Sequence, residues 1–437
     1  MASSHAEALL ARAQRVLAGG PGTLSKHPSR FPAGLAPLFL AQGDGATVWD
    51  VDGREYLDCI GALGPVLLGH AHPGVMAAVR HQVGRMASSS MSTALEVEVA
   101  ERLVDVIPGA EQVRFASNGA DVTNAAVKLA RYVTGHQHVI YVGYHGGFSD
   151  YLITTDKAGG ILPQIQPYNH QVAWRDISAV SHVINLASKR DDLAAIIFEV
   201  PPELCGMPRE ETGATIQAYI DTAHEFGAIA ILDEVVTWGR YGNGGAQAYY
   251  NVRADLVCLS KALGNGFPIS AITGPRDLMR AFDGGQVFLS TTFGASPVSL
   301  AACKAVLAAL PGEYPALVEH GGRFGYILDA LVRECQVPCA LRGMHGRFVL
   351  DWQGCEAATV AELKTLWMQE MLRRGILVGV VFLPMTAWNS SIVERLLDAA
   401  SETFEIIAEV VQGKKALSDA LHCPVVGEVF ERYQRQP

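Results

Sequence analysis

The chain has 437 residues, of which 49% are hydrophobic and 18% charged, and its formal net charge at pH 7 is −10. This length and apolar content predict a large buried core, divided into one large and one or two smaller domains. The acidic balance, without a lysine or arginine run, disfavours nucleic acid as a partner and favours a small-molecule ligand.

The apolar segments are much shorter than the roughly 20 residues of a membrane-spanning helix, so we expect no membrane span. Glu7, Arg12 and Arg15 interrupt the apolar residues of the N-terminus, which predicts an amphipathic helix instead of a signal peptide and a cytoplasmic location. The eight cysteines lack zinc or redox spacing and are predicted to be reduced core thiols.

Between residues 111 and 295, short β-rich runs alternate with helical patterns, which predicts an α/β domain with a mainly parallel sheet covered on both faces. The candidate strands are QVRFA (112–116), HVIYV (138–142), AAIIFEV (194–200), AIAILDEV (228–235), ADLVCLS (254–260), SAITG (270–274) and QVFLST (286–291). Seven strands are therefore expected in this sheet.

The flanking segments predict a smaller α+β domain. Residues 45–61 alternate like a hairpin turned at Asp52-Gly53, and GRFVLDW (346–352) with a final helix at about 390–412 follows the large domain. We predict an N-terminal segment (1–70) that packs with the small domain, a large ligand-binding domain (71–311) and a C-terminal small domain (312–437).

Two charged residues lie at or just after the ends of predicted strands, where open α/β sheets bind their ligands. Lys261 precedes the glycine-rich ALGNG, so it is either a partly desolvated amine suited to imine chemistry or an ordinary lysine at a strand end. Asp233 lies in an apolar run and needs a cationic partner. That partner is the protonated pyridine nitrogen of a cofactor, a basic side chain in a structural ion pair, or a metal ion.

Polar turns follow other strands. Residues 117–120 join a strand to a helix, and the free amides and helix dipole there suit a phosphate, although many such turns bind nothing. Tyr144, followed by His145, offers a ring that either stacks on a planar cofactor or belongs to the core. Thr291 and Thr292 follow the last predicted strand and offer hydroxyl donors.

The histidine pairs in GHAHP and GHQH have i, i+2 spacing on loops with no nearby third ligand, which is weak support for a metal site. The sequence also lacks a G-x-x-x-x-G-K-[ST] loop, a strand-linked G-x-G-x-x-G and a G-x-S-x-G elbow. Nucleotide hydrolysis, dinucleotide binding and serine hydrolysis are therefore disfavoured.

Taken in order, these segments resemble the class III aminotransferases, which are pyridoxal phosphate (PLP) enzymes of fold type I, and most closely their glutamate-1-semialdehyde aminomutase-like branch. The resemblance runs from about Pro37 to Glu394. It is carried by GATVWDVDGREYLD, GALGPVLLGHAHP, FASNGADVTNAAVKLAR, YHGG, LDEVVTWGR, SKALGNGFPISAITG and TTFGASP.

The resemblance implies a PLP site and a homodimer. Position by position, it implies Lys261 as Schiff-base lysine and proton shuttle and Asp233 as partner of the pyridine nitrogen. It places Val235 and Tyr144 on opposite ring faces, and His145 and Glu199 in the cofactor pocket. The residues implied at the phosphate are Ser117, Asn118, Gly119 and Ala120 of the same subunit, and Thr292 at the phosphate of the neighbouring subunit.

Two departures from the family pattern fall near the phosphate and the substrate. Asn118-Gly119-Ala120-Asp121 replaces the family's Ser-Gly-Thr-Glu, so one hydroxyl contact to the phosphate is missing. Ala62-Leu63 replaces the Ser-Trp of the aminomutase, which disfavours glutamate-1-semialdehyde as the substrate.

The predicted activity is transfer of an amino group between an amino donor and a small keto or aldehyde acceptor. An intramolecular aminomutase is the first alternative, followed by a racemase or a decarboxylase, because all begin from the same amine–cofactor adduct. A non-catalytic scaffold of the same fold is the alternative from another class. The donor, the acceptor, the substrate charge and the pathway stay open.

Overall fold

The structure is a computed structural model that describes residues 5–18, 23–174, 176, 180, 192–200 and 209–427. It divides into two units. The first comprises residues 1–63, 68–72 and 315–437, and the second comprises residues 64–67 and 73–314. The predicted boundaries at residues 70 and 311 stay a prediction.

The strands in chain order are β1 (Leu40–Asp44), β2 (Thr47–Asp50), β3 (Glu55–Asp58), β4 (Gln112–Ala116), β5 (His138–Val142), β6 (Asn169–Gln171), β7 (Leu193–Glu199), β8 (Ile229–Asp233), β9 (Leu256–Leu259), β10 (Ser270–Gly274), β11 (Cys339–Met344), β12 (Arg347–Trp352), β13 (Ile376–Leu377) and β14 (Val381–Phe382).

The helices in chain order are α1 (His5–Val16), α2 (Pro73–Val83), α3 (Ala94–Val106), α4 (Gly119–Thr134), α5 (Ser149–Leu152), α6 (Arg209–Glu225), α7 (Gly245–Tyr250), α8 (Arg276–Met279), α9 (Pro297–Glu334), α10 (Val360–Arg373), α11 (Ser390–Val411) and α12 (Leu417–Ala420).

The second unit contains a seven-stranded sheet with the order β4-β10-β9-β8-β7-β5-β6. Strand β10 is antiparallel to both of its neighbours, and the remaining pairs are parallel. Strands β4 to β9 therefore run in one direction and present their carboxyl ends at one edge. The predicted α/β fold with a mainly parallel seven-stranded sheet is confirmed.

Helices cover both faces of this sheet. Ile197 belongs to the buried cluster that α4 covers, whereas the ring of its neighbour Phe198 stacks on Tyr219 of α6, with ring centroids 5.6 Å apart. Successive side chains of a strand point to opposite faces, so α4 and α6 lie on different sides of the sheet. Burial on both faces explains the nearly continuous apolar runs of β7 and β8.

The predicted strand QVFLST (286–291) is wrong, because residues 286–291 form no strand. Val287 and Leu289 are buried, as the alternating pattern required, but the Leu289 carbonyl accepts hydrogen bonds from the Arg114 guanidinium of β4 at 3.0 and 3.1 Å. The Arg114 side chain thus donates to a carbonyl oxygen that would otherwise accept from a neighbouring strand. The seventh strand is instead β6, which has only three residues.

The first unit contains a four-stranded sheet, β1-β2-β3-β13, and a three-stranded sheet, β11-β12-β14. The hairpin turned at Asp52-Gly53 is confirmed as β2 and β3, with Val48 opposite Tyr56. The predicted strand at 346–352 and the final helix are confirmed as β12 and α11. The amphipathic N-terminal helix is α1.

No helix within the described ranges is long and apolar enough to cross a membrane. Each cysteine that the structure describes has a free thiol. Cys59, Cys258 and Cys303 are buried, and burial raises the pKa of each of these thiols. They are inert core thiols because the thiolate form is disfavoured.

Candidate active site

Polar residues gather at the carboxyl ends of β4, β5, β7, β8 and β9, all within the second unit. Asp233 is the last residue of β8, directly opposite Glu199 of β7 in the strand register. Lys261 lies two positions after β9. The phosphate turn, defined as residues 117–120, follows β4, and residues 143–147 follow β5. Parallel strand direction brings these segments to one edge of the sheet.

Asp233 and His145 form a buried pair at this edge. The Nδ1 atom of His145 lies 2.8 Å from Oδ2 of Asp233, and its Nε2 lies 3.1 Å from the carbonyl oxygen of Val142. Their side chains are 1% and 4% exposed. Both contacts join a ring nitrogen to an oxygen atom, so both nitrogens of the His145 ring are engaged. The ring therefore fixes the orientation of the Asp233 carboxyl group.

The Asp233 carboxylate keeps acceptor capacity beyond this pair. Its Oδ1 accepts the backbone N–H of Val235 at 3.0 Å, and its Oδ2 accepts from His145. A carboxylate has about four acceptor positions, so these two donors leave room for a further N–H group.

Three segments of the site meet at Gly119, the first residue of α4. A Cβ atom at this position would lie 2.8 Å from Cγ1 of Val235 and 3.5 Å from Cβ of Ser260. The phosphate turn therefore touches both the segment after Asp233 and the residue before Lys261. Only glycine permits this approach.

The phosphate turn also interlocks with residues 143–147. A Cβ atom at Gly146, whose φ is +96°, would lie 2.6 Å from Cβ of Ala120. The Thr123 hydroxyl donates to the carbonyl oxygen of His145 at 2.8 Å. One turn of α4 thus fixes the backbone that carries the ring of His145.

The backbone donors of the phosphate turn fall into two groups. The N–H groups of Asn118 and Ser117 donate to Oδ2 of Asp121 at 2.9 and 3.3 Å. Gly119 and Ala120 carry the first two N–H groups of α4, and these groups have no acceptor within the helix. The helix dipole adds positive potential at the same place, so this pair of donors suits an anion.

Tyr144 and Glu199 line the same edge. The N–H of Tyr144 donates to Oε1 of Glu199 at 3.1 Å, and Gly143 permits this contact, because a Cβ there would lie 2.8 Å from that oxygen. The Tyr144 ring is 41% exposed. Burial, Asp233 and Glu199 together raise the pKa of Tyr144, so its phenol stays neutral.

Lys261 begins a 3₁₀ turn, Lys261–Gly264, and has a left-handed backbone with φ of 47°. This conformation is strained for a lysine and needs support from its surroundings. The side chain is half-buried. The lysine thus lies at the rim of the sheet, as the sequence predicted.

Thr291 and Thr292 follow an irregular segment and not the strand that the sequence predicted. Both threonines are exposed. The turn that contains them lies against the end of β4, because a Cβ at Gly294 would lie 3.0 Å from the carbonyl oxygen of Phe115. The proposed reach of Thr292 into a neighbouring subunit stays a prediction.

These features fit PLP. The carboxylate of Asp233 has a free acceptor position for a pyridinium N–H, and Gly119 and Ala120 offer amides for a phosphate. The exposed ring of Tyr144 provides a stacking surface, and Lys261 supplies the amine. The missing hydroxyl at Ala120 is not replaced by Thr123, whose hydroxyl donates to the carbonyl oxygens of His145 and Ala120.

Sequence reasoning missed Thr123, whose hydroxyl positions His145, and the role of Glu234. Glu234 is fully buried and accepts from the backbone N–H groups of Ala246 and Gln247 and from the Thr237 hydroxyl. Burial, the largest cause, raises the pKa of this carboxyl. The adjacent acids Asp233 and Glu234 at the end of an apolar run indicated a polar network. The sequence did not indicate which groups bind Glu234.

The histidines that suggested a metal have other partners. Nε2 of His70 lies 2.8 Å from Oδ2 of Asp58. Nδ1 of His138 lies 2.9 Å from Nε2 of His170. In the part of the chain that the structure describes, no three histidine, cysteine or acidic side chains are grouped to bind a metal ion.

Residues 32–385 match the family model of the class-III aminotransferases. The chain is 32% identical over 431 residues to a glutamate-1-semialdehyde 2,1-aminomutase from Methanothermobacter thermautotrophicus, covering 94% of this chain and 99% of that protein. An ω-transaminase from Sphaerobacter thermophilus superimposes with a TM-score of 0.81 at 27% identity, covering 92% of this chain and 98% of the other.

A transaminase solved with PLP bound has a TM-score of 0.85 at 24% identity, and the match covers 94% of this chain and all of the other. The predicted fold type I is thereby confirmed. The chain belongs to the class-III aminotransferases, a family of PLP-dependent enzymes.

Proposed function

We propose that this protein moves an amino group between an amino donor and a small keto or aldehyde acceptor, with Lys261 as the covalent anchor of PLP. The observation that carries the proposal is the buried Asp233–His145 pair at the carboxyl edge of the sheet. Lys261 follows β9 at this edge, and the first two backbone N–H groups of α4 lie there as well. A carboxylate held in this way favours a cation beside it, which suits a protonated pyridine nitrogen.

PLP, when bound, supplies an electron sink for the bond-breaking step at the substrate carbon. Lys261 would hold PLP through its side-chain amine and would serve as the group that moves a proton at the substrate carbon. Asp233 would accept a hydrogen bond from the protonated pyridine nitrogen. His145 orients the Asp233 carboxyl group.

The remaining residues bind and orient the cofactor. Gly119 and Ala120 would donate backbone N–H groups to the phosphate, with Ser117 and Asn118 beside them. Tyr144 and Val235 would contact opposite faces of the ring, and Glu199 accepts a hydrogen bond from the backbone of Tyr144 at the pocket wall.

The test is replacement of the anchor lysine. Lys261→Ala is expected to lower turnover by about 10⁴-fold or more and to abolish the visible absorbance of lysine-linked PLP. Lys128→Ala, at an exposed position of α4, is the matched control and is expected to change neither. An unchanged rate in Lys261→Ala contradicts the proposal.

An intramolecular aminomutase is the second candidate, and it is favoured by the 32% identity to an enzyme of that name. Transamination consumes a separate keto or aldehyde acceptor, whereas an aminomutase requires none. Incubating the PLP-loaded protein with a panel of amino donors, with and without pyruvate, separates the two. Product formation without any added carbonyl compound favours the aminomutase.

We also propose a homodimer in which Thr292 reaches the phosphate of the neighbouring site. Met91 and Phe293 are 81% and 63% exposed, which is unusual for large apolar side chains. The hydroxyl of Ser296 contacts the carbonyl oxygen of Ala87 at 3.4 Å, so the two segments are neighbours. Light scattering measures the mass that tests this assembly. The cytoplasmic location stays a prediction.

A further inference from the structure

The turn that begins with Lys261 ends at a second left-handed residue. Asn265 has φ of 44° and ψ of 48°, and its N–H donates to the carbonyl oxygen of Ala262 at 3.1 Å. Asparagine adopts this conformation more readily than most residues. We call Lys261–Asn265 the lysine turn. Its two ends are strained in the same sense, so its shape depends on contacts that hold both ends.

The side chain of Asn265 binds a segment that is distant in sequence. Its Oδ1 accepts the backbone N–H of Leu67 at 2.9 Å, and both residues are buried. Leu67 ends the segment Gly64–Leu67, which we call the strap and which belongs to the second unit. A buried N–H that loses its acceptor is left without a partner away from water, so this bond is expected to hold the strap firmly.

Two neighbours of the strap belong to the segment that follows Asp233. The Arg240 guanidinium donates to the carbonyl oxygen of Gly64 at 3.0 Å. A Cβ at Gly239 would lie 2.6 Å from Cδ2 of Leu67 and 3.7 Å from Cβ of Ala262. The Leu67 side chain therefore packs where the lysine turn and the segment after Asp233 meet.

We propose that Asn265 is a positioning residue that holds the lysine turn against the strap, so that the amine of Lys261 is kept at a fixed distance from Asp233. The proposal rests on the proposed function, because Lys261 is taken as the anchor of PLP. Asn265 acts through the backbone of the lysine turn.

Asn265→Gly separates the side-chain contact from the backbone conformation. Glycine adopts the left-handed conformation without strain, so the variant keeps the turn and loses the acceptor for Leu67. Asn251→Gly is the matched control. Asn251 has φ of 54° and ψ of 48° and is exposed at the end of α7. Asn265→Asp keeps an acceptor oxygen at the same position.

The first measurement is hydrogen–deuterium exchange of the strap in the PLP-loaded proteins. In Asn265→Gly the strap is expected to exchange about 10-fold to 100-fold faster than in the wild type. Asn251→Gly is expected to leave the strap unchanged, and Asn265→Asp is expected to restore most of its protection. Equal exchange in Asn265→Gly and the wild type overturns the proposal.

The second measurement is the rate at which aminooxyacetate removes the visible absorbance of lysine-linked PLP. Asn265→Gly is expected to change this rate and the pH midpoint of the absorbance, while Asn251→Gly changes neither. Faster strap exchange with an unaltered rate and midpoint overturns the positioning of Lys261. Failure of the proposed function gives a different result. In that case the wild type shows no lysine-linked absorbance, or Lys261→Ala leaves the absorbance unchanged.

Discussion

Histidine and aspartate side chains meet at both ends of the seven-stranded sheet, and the two ends differ in what the histidine faces. At the carboxyl end, the ring nitrogens of His145 face Asp233 and a carbonyl oxygen, and the ring is 1% exposed. At the amino end, Nδ1 of His138 faces another ring nitrogen, that of His170, and Oδ2 of Asp192 lies 4.0 Å from its Nε2.

The comparison separates a histidine paired with oxygen atoms from a histidine paired with another ring. Both ring nitrogens of His145 contact oxygen atoms, one of which belongs to the Asp233 carboxyl group. One proton lies between the two ring nitrogens that are 2.9 Å apart, so His138 and His170 cannot both be imidazolium ions. Burial and His138 lower the pKa of His170. Residue types therefore do not define a site, because the atoms that each ring contacts decide its role.

The largest expected effect is on Asp233. Asp233→Asn removes the carboxylate that contacts His145 and that would face the pyridine nitrogen, and activity is expected to fall by about 10³-fold, corresponding to about 4 kcal/mol. Turnover of the donor that the wild type consumes fastest measures this loss. Asp192→Asn, the same exchange at the amino end, is expected to leave activity unchanged. Equal losses in the two variants would contradict the assignment.

A smaller effect is expected at His145. His145→Gln removes the charge-assisted bond to Asp233 but leaves an amide that donates to it, so activity is expected to fall about 10-fold to 100-fold. The pH midpoint of the lysine-linked absorbance should shift, because Asp233 loses the hydrogen bond of the imidazole ring. His138→Gln is the matched control. If both variants behave alike in these two measurements, His145 has only a structural role.

The fold was largely predictable because its signals are local. Apolar runs bounded by turns marked β5, β8 and β10, and a left-handed Gly135 ends α4 where the helical pattern stopped. Strand β6 escaped prediction because three residues carry no periodicity. The segment 286–291 was misassigned because its alternation of apolar and polar residues reflects which side chains are buried, and the segment does not pair with a strand.

The site was predictable only as a set of positions. Strand ends and the family resemblance identified Asp233, His145 and Lys261, but no spacing in the sequence says that His145 and Asp233 touch across 88 positions. The contact of Asn265 with Leu67, across 198 positions, is hidden for the same reason. Such contacts depend on how loops pack at the sheet edge, which local propensity does not encode.

The smallest expected effect is at the amino end, where His170 makes stability depend on pH. The folded protein holds the pKa of His170 below its ordinary value, so below about pH 6.5 the unfolded chain binds a proton that the folded protein does not. Stability from this group is therefore complete above that pH and is lost as the pH falls through the lowered pKa. Asp192 and the Tyr168 ring, 5.4 Å from the His138 ring, are the other titratable groups beside the pair.

His170→Gln is expected to lower the free energy of unfolding by about 1 kcal/mol near neutral pH, the ordinary net value of one hydrogen bond. It is also expected to flatten the decline in stability between about pH 7.5 and 5.5, because the glutamine binds no proton. Urea unfolding at fixed protein and PLP concentrations measures both quantities. His81→Gln, on an exposed position of α2, is the control. A decline as steep as that of the wild type would mean that the pKa of His170 is not lowered in the folded protein.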